Sequence, residues 1–373
     1  MALNQVGLER LNTATTKKIG TNKNLIINGA MQVAQRGTSF TTNDSFSVDR
    51  FQNQYSGVDA GPTFAQVDVA SGTSPYTNGF RKALKITNAN QSSGAGSNDM
   101  MAIVYKFEAQ DIANSGWNYL SNSSYITLSY WVKSSIAQNF YGRFQSNDGT
   151  SQNYPFETGS LSADTWTKIT KTIPGNSNLQ FDNDVNNGLF LELSTFRGTD
   201  KTGSIALDAW NAYGSGTTRT PDQTSTWYTT NGATFEITGM QLEVGSVATD
   251  FEHRSFAQDL ALCQRYCFVW KSSQGYSVWG TAYMTGSTNV DFTFTLPQTM
   301  RASPSFSSSG SFRIVGYENN TQNAQGLSSL AMTRSHILTP YLRGVISGGL
   351  TGAVGEFGDN GSNDATAIFS AEL

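Results

Sequence analysis

The chain has 373 residues, of which 14% are charged and 12% aromatic, and its formal net charge is −4. Ordinary globular proteins carry roughly 25% charged residues, so this surface must be built mainly from Ser, Thr, Asn, Gln and Gly. The length fits two domains, the aromatic content argues against a disordered chain, and the scattered basic residues argue against a nucleic-acid groove.

The first 24 residues differ in character from the rest and are predicted to form an N-terminal docking segment, 1–24. Leu8 and Leu11 suggest one helical turn, and Leu3 and Val6 are the other apolar residues that we assign to docking. A helix this short is not stable alone in water, so the segment must bind a partner or stay flexible. Its start lacks the charged-then-apolar order of a signal peptide, and no stretch approaches the ~18 apolar residues of a membrane span. We therefore expect a chain made in the cytoplasm, without an export signal or membrane insertion.

Short runs with a period of two follow, separated by Gly, Asn, Ser and Pro. In "SYITLSYWVKSS", Ile126, Leu128, Tyr130 and Val132 fall on one side of the predicted strand. Many such runs without helical patterns between them predict a two-sheet antiparallel sandwich, and a jelly roll is the arrangement that we expect. We assign residues 25–252 to this domain.

The last strand of that domain changes phase at a glycine. In "ATFEITGMQLEVG", Phe235 and Ile237 share a face, whereas Met240 and Leu242 continue the apolar set one residue out of phase. A β-bulge at Gly239 restores the register, because glycine tolerates the backbone angles that the bulge requires.

A short helix is predicted next, over residues 253–267. Ser255 and Gln258 have the spacing of a capping box, and an apolar stripe follows. We place Cys263 and Cys267 on this helix as reduced core residues, with a redox switch as the alternative, because adjacent turns meet disulfide geometry poorly. The stripe consists of Phe256, Leu260, Cys263 and Cys267.

Period-two runs return in the remaining residues, 268–373. In "NVDFTFTLP", Val290, Phe292 and Phe294 alternate with polar residues, and "ATAIFSAEL" shows the same pattern. The whole chain is therefore predicted to be all-β: a jelly-roll β-sandwich, a short linking helix and a smaller C-terminal β-sandwich.

Several motifs taken together resemble the fibre-type virion proteins of tailed bacteriophages. The resemblance spans residues 24–373, and a Cys stands at position 267 where that family more often has a second aromatic residue. The motifs are "NLIINGAMQVAQRGTSF", "SVDRFQ", "FEITGMQLEVGSVATDFEHRSFAQDLALCQRYC", "LPQTMRASPSF" and "FSAEL".

This resemblance implies a carbohydrate-binding-module-like jelly roll in a homotrimer on the virion surface. It implies a tail fibre or related appendage that contacts the host, with the N-terminal segment docking on other virion structural proteins. A capsid decoration or head-fibre protein is the alternative within this class. A polysaccharide depolymerase is the alternative outside it, because paired carboxylates need not be close in the sequence. We expect no enzymatic activity.

Two sites are candidates on residue chemistry. Glycan binding needs aromatic faces near polar groups, and a long polar region offers Trp210, Tyr213, Trp227 and Tyr228, which could equally cover a sheet edge or meet another subunit. "DNDVNNG" carries Asp182, Asp184 and Asn186 at alternating positions, as in a calcium loop, although turn chemistry explains the same residues. Apart from a structural calcium there, no cofactor is expected.

Overall fold

The computed structural model describes residues 22–214, 216–318, 321–347, 350, 354–361 and 364–373. The predicted docking residues Leu3, Val6, Leu8 and Leu11 lie outside this range. Within it, no helix combines the length and the apolar character that crossing a bilayer requires.

Residues 39–244 form two antiparallel sheets, whose strands are numbered in chain order. One sheet contains, in spatial order, β1 (Ser39–Phe40), β4 (Thr63–Asp68), β5 (Lys82–Thr87), β13 (Thr234–Val244), β7 (Tyr125–Ser134) and β10 (Thr167–Pro174). The seven-stranded sheet contains β12 (Asn211–Ala212), β9 (Gln152–Ser160), β8 (Asn139–Ser146), β11 (Asn187–Arg197), β6 (Met100–Glu108), β3 (Phe51–Ser56) and β2 (Ser45–Val48). Between strands lie α1 (Ser74–Thr77), α2 (Ala109–Ala113), α3 (Thr226–Thr229) and a 3-10 turn at Thr199–Lys201.

The two sheets enclose one apolar core, as the period-two pattern predicts. On β7, Ile126, Leu128, Tyr130 and Val132 are all buried in it, and residues from both sheets contribute to the same cluster. Sheet neighbours come from distant parts of the sequence, because β13 lies between β5 and β7 and β11 lies between β6 and β8. Such crossing connections are typical of a jelly roll, and the predicted all-β class is confirmed.

The predicted bulge lies in β13. Gly239 has φ +64°, and the pairing of β13 with β7 shifts register between Thr238 and Gln241. Ile237 before the bulge and Leu242 after it are both buried in the sandwich core. The extra residue therefore keeps both halves of a long strand facing inward.

The linking helix, α4 (Phe256–Gln264), has the predicted N-cap and is shorter at both ends than the predicted range 253–267. Ser255 and Gln258 form the complete capping box. Cys267 does not belong to the helix but begins the next strand, and both cysteines are free and buried. Phe256 is 54% exposed, so its place in the apolar stripe is a correction. The helix is only nine residues long and is buried through Asp259 and Cys263, which leaves Phe256 at its first position outside the contact.

The C-terminal strands enclose a second apolar core. A three-stranded sheet contains β14 (Cys267–Lys271), β22 (Thr366–Ser370) and β17 (Ser305–Ser309). The other strands close into a barrel, where the sequence predicts two facing sheets; in spatial order they are β15 (Val278–Met284), β16 (Asn289–Thr293), β20 (Tyr341–Ile346), β19 (Thr321–Arg334), β18 (Phe312–Glu318) and β21 (Val354–Asp359). Glycines permit the tight pairing, since a Cβ at Gly355 would lie 2.4 Å from the Val315 carbonyl oxygen.

A buried ion cluster, here called the Glu372 clamp, ties the end of the described chain to the jelly roll. It consists of Glu372 with the guanidinium groups of Arg36 and Arg50, the Arg36 contact being 2.5 Å. Arg301 donates to the main-chain oxygens of Ala371 and Glu372 at 2.5 and 2.8 Å. The clamp therefore fixes the C-terminal strands against the sandwich.

Candidate functional site

The outward-facing side of the seven-stranded sheet, here called the outer face, is mainly polar, with Ala102 and Val104 of β6 and Phe190 of β11 among its outward side chains. Residues that pair across neighbouring strands point to the same side of the sheet. Glu192 on β11 pairs with Arg143 on β8, and Phe190 on β11 pairs with Gln145 on β8. Alternation sends Leu189, Leu191 and Leu193 inward to the core. The side chains of the outer face include Gln52, Gln54, Lys106, Tyr141, Arg143, Gln145, Asn153, Glu157, Phe190, Glu192, Ser194 and Arg197.

An ion network lies at the centre of the outer face. Arg143 donates to Glu192 Oε2 from Nε at 3.1 Å and from Nη2 at 2.8 Å, and Arg197 contacts Glu192 Oε1. All three side chains are at most 4% exposed. Burial alone would raise the pKa of Glu192, but the charges of Arg143 and Arg197 outweigh it and hold that pKa well below its usual range. Glu192 is therefore a fixed anion that orients two guanidinium groups.

A segment after β11, residues 198–214 and 216–224, crosses this face and buries the network. Asn153 Nδ2 donates to the carbonyl of Arg219 at 2.9 Å, and Gln223 Nε2 donates to Ser194 Oγ at 3.1 Å. Two side chains of the segment stay half-buried at its rim, Tyr213 and Arg219. They are joined by a hydrogen bond of 3.1 Å from Arg219 Nε to the Tyr213 hydroxyl.

Aromatic rings and cations alternate where the segment meets the strands. The Arg143 guanidinium carbon lies 4.7 Å from the Phe190 ring centre and 5.7 Å from the Tyr213 ring centre. The Arg219 guanidinium carbon is 5.8 Å from the Tyr213 ring centre. Half-buried rings beside fixed hydrogen-bond donors are the features that sugar recognition requires. Of the predicted glycan-contacting residues, Tyr213 belongs to this arrangement.

Trp210 lies beside the core rather than at the site. Its ring packs 5.2 Å from that of Tyr154, and its Nε1 donates to the Pro174 carbonyl at 2.7 Å. The side chain is half-buried and connects the crossing segment to the sandwich. We assign it a positioning role for the segment that carries Tyr213.

Trp227 and Tyr228 are corrected from surface residues to core residues. Both are 0% exposed, because the single turn of α3 points them into the sandwich. The Trp227 indole donates to the Thr234 carbonyl at 2.9 Å, and Tyr228 stacks on Phe196 with ring centres 4.4 Å apart. The sequence around Trp227 and Tyr228 is polar, so it gave no indication that these two rings pack in the core.

The predicted calcium loop has the hydrogen bonds of a turn. Asp184 accepts the Asn186 main-chain N–H at 2.9 Å and the Asn186 side-chain amide at 2.5 Å. Asp182 accepts from Gln180 at 3.0 Å, and its own N–H donates to Asp148 at 2.9 Å. Within the described ranges, no group of three or more His, Cys, Asp or Glu residues is placed to hold a metal.

Sequence patterns alone did not single out Arg143, Glu192, Arg197, Phe190 or Arg219. A usable signal exists for Glu192, since it is a charged residue at an outward position of a largely apolar strand. The pairing of Arg143 with Glu192 depends on the register of β8 against β11, which joins residues 49 positions apart. Arg219 approaches the face through loop geometry that no periodic pattern encodes.

Comparisons with known proteins were made for sequence and for structure. No protein-family model matches the chain, and no curated protein matches it. A putative sugar binding protein from Bacteroides thetaiotaomicron aligns over 60% of this chain and 100% of its own, with 13% identity and a TM-score of 0.32. A family 11 carbohydrate-binding module from Clostridium thermocellum, in complex with a mixed-linked tetrasaccharide, aligns over 58% of this chain and 98% of its own, with 10% identity and a TM-score of 0.27.

A phage protein is also among the solved structures that align. The enzymatically active domain of tailspike protein 4 from bacteriophage CBA120 matches over 60% of this chain at 8% identity, with a TM-score of 0.31. The match covers only 22% of the tailspike chain. At these values the similarities carry no argument about function, and the fold assignment rests on the sheets themselves.

Proposed function

We propose that this chain is a non-enzymatic virion appendage protein of a tailed bacteriophage, a tail fibre or a related fibre. It contacts host-surface glycans through the outer face of its jelly roll. The virion role is supported by the motif resemblance over residues 24–373. The docking role of residues 1–24 is part of the same proposal.

The observation that carries the glycan contact is the arrangement around Arg143. Phe190 and Tyr213 present half-buried rings that both lie against the guanidinium group of Arg143, which is itself buried and which Glu192 holds in place. Sugars bind where an apolar ring face meets fixed donors and acceptors. Further amides, at Gln52 and Gln54, lie on β3 of the same face, beyond Val104 and Ala102 of β6. Because only 14% of the residues are charged, the surface offers mainly amide groups and aromatic rings for contact with a glycan.

The absence of catalysis is proposed from the state of the carboxylates near the site. Glycoside cleavage needs one carboxylic acid that can donate a proton near neutral pH. Glu192 is the central carboxylate of the outer face, and its two guanidinium partners keep it ionised. Glu108, the last residue of β6, is likewise held by Arg265 at 2.7 and 2.8 Å.

Binding to purified envelope polysaccharides tests this function. Wild-type protein is expected to bind at least one polymer, and Tyr213→Ala is expected to weaken that binding by about tenfold, since one aromatic contact contributes roughly 1.5 kcal/mol. Tyr276→Ala is the matched control, because Tyr276 is 60% exposed in the C-terminal part. Equal losses in the two variants, or no binding to any polymer, would overturn the assignment. Release of oligosaccharides from the polymer would move the protein to the depolymerase class.

The homotrimer is a separate element of the proposal and has its own measurement. Mass photometry of the full chain is expected to show three times the chain mass of 40.4 kDa. A stable monomer would count against a fibre. Cryo-electron microscopy of intact particles would then decide between a tail fibre and a capsid decoration or head fibre.

A further inference from the structure

The outer face carries more positive than negative charge where the crossing segment meets β8. Arg143 and Arg197 share the single carboxylate of Glu192. Arg143 is also satisfied by neutral groups, with Nη1 donating to Gln145 at 2.6 Å and to Asn153 at 3.4 Å. One carboxylate between two guanidinium groups leaves a net positive charge in a place that water barely reaches.

Arg219 adds a further positive charge at the rim. Its Nε donates to Tyr213, and in the part of the chain that the structure describes it forms no ion pair. Its terminal amino groups have no hydrogen-bond partner among the described residues. The pKa of Arg143 is lowered first by burial and further by the charges of Arg197 and Arg219, against the opposing effect of Glu192. An anion bound beside Arg219 would relieve this repulsion.

The two ends of the outer face differ in charge. At the other end, burial and then the negative charges of Glu157 and Asp222 raise the pKa of Tyr141. Glu157 accepts from Asn139 at 2.7 Å, and Asp222 accepts from Thr202 at 2.7 Å. An anionic group is therefore favoured beside Arg219 over a position beside Glu157.

We infer that the glycan bound here is acidic, with a sugar carboxylate at Arg219 and the sugar ring against Tyr213 or Phe190. A planar guanidinium group with two unused amino groups matches a carboxylate in bidentate geometry. The aromatic ring supplies the apolar contact that a free carboxylate ion would not need. This inference rests on the proposed glycan-binding function and names its ligand class.

The test uses an array of bacterial surface polysaccharides in which each carboxylate-bearing polymer is paired with its carboxyl-reduced form. Full-length wild-type protein is expected to bind the acidic form about tenfold more tightly, since a charge-assisted hydrogen bond contributes enough for that ratio. Binding of the acidic form is expected to weaken as NaCl is raised from 50 to 500 mM, because salt screens exposed charges. Equal binding of the acidic and carboxyl-reduced forms would overturn the inference of an acidic ligand but not the glycan-binding function. No binding of either form would overturn both.

Variants of Arg219 test whether the sugar carboxylate binds at this residue. Arg219→Ala is expected to abolish the preference for the acidic form, and Arg219→Lys is expected to restore part of it. Lys168→Ala is the matched control, since Lys168 is an exposed lysine on β10 of the other sheet. An undiminished preference in Arg219→Ala, with an unchanged melting temperature, would overturn the placement at this residue.

Discussion

Glu192 is the residue on which the geometry of the outer face depends most. Replacing it by Gln leaves Arg143 and Arg197 buried without a counter-charge, and breaking a buried pair in this way costs roughly 3 kcal/mol or more. Chemical denaturation of Glu192→Gln is expected to show that loss. Glu157→Gln is the control on the same face, because Glu157 is half-buried and, among the described residues, accepts a hydrogen bond only from Asn139. It should change the unfolding free energy by less than about 1 kcal/mol.

The same residue makes stability depend on pH in a defined direction. The pKa of Glu192 is lower in the folded chain than the value of about 4.3 expected after unfolding. Its stabilisation is therefore complete above that value and is lost as the pH falls toward the folded-state pKa. The difference in unfolding free energy between wild type and Glu192→Gln is expected to shrink from pH 6 to pH 3. A difference that grows with acid would contradict the ion network.

The role of an individual residue could be predicted when it depends on neighbours that are close in the sequence. Gly239 and Ser255 were predicted because a phase change and a three-residue spacing reveal them directly. Trp227 and Tyr228 were wrongly predicted to be exposed, because the polar residues around a single helical turn do not indicate which side of that turn faces the core. The partners of Tyr213 required the register between distant strands, which no local pattern contains.

At the scale of the element, the bulge in β13 can be tested by filling the space beside it. A Cβ at Gly239 would lie 2.6 Å from the Phe80 ring, and the residue has φ +64°. Gly72 has φ +81° with no atom within 4 Å of its Cβ position, so Gly72→Ala measures the backbone strain alone. Gly239→Ala is expected to cost at least about 1 kcal/mol more than Gly72→Ala in unfolding experiments. Equal costs would show that the ring does not constrain the bulge.

Element boundaries and closure were harder to predict than element type. Alternation correctly indicated inward residues such as Val290 and Phe292 in the C-terminal part. It could not show that the sheet closes, because a barrel and a sandwich share the same inward and outward periodicity. The end of α4 was placed three residues late, since apolar side chains at Tyr266 and Cys267 continue into a strand without a glycine or proline to mark the change.

At the scale of the whole molecule, the Glu372 clamp is expected to make the two cores unfold together. Glu372 has side-chain exposure of 9% and Arg50 of 2%, so Glu372→Ala leaves the buried Arg50 without its ion-pair partner. We expect wild type to unfold in one calorimetric transition and Glu372→Ala in two, the C-terminal part at the lower temperature. Glu356→Ala, at an exposed position of β21, is the control and should keep one transition. Two transitions already in wild type would show that the clamp does not couple the cores.

The most direct measurement is a crystal structure of the full chain with an oligosaccharide from an envelope polymer that it binds. The predicted result is electron density for a sugar on the outer face, with its ring against Tyr213 or Phe190 and a carboxylate within hydrogen-bond distance of Arg219. Density on the six-stranded sheet or on the C-terminal barrel, with the outer face empty, would contradict the account.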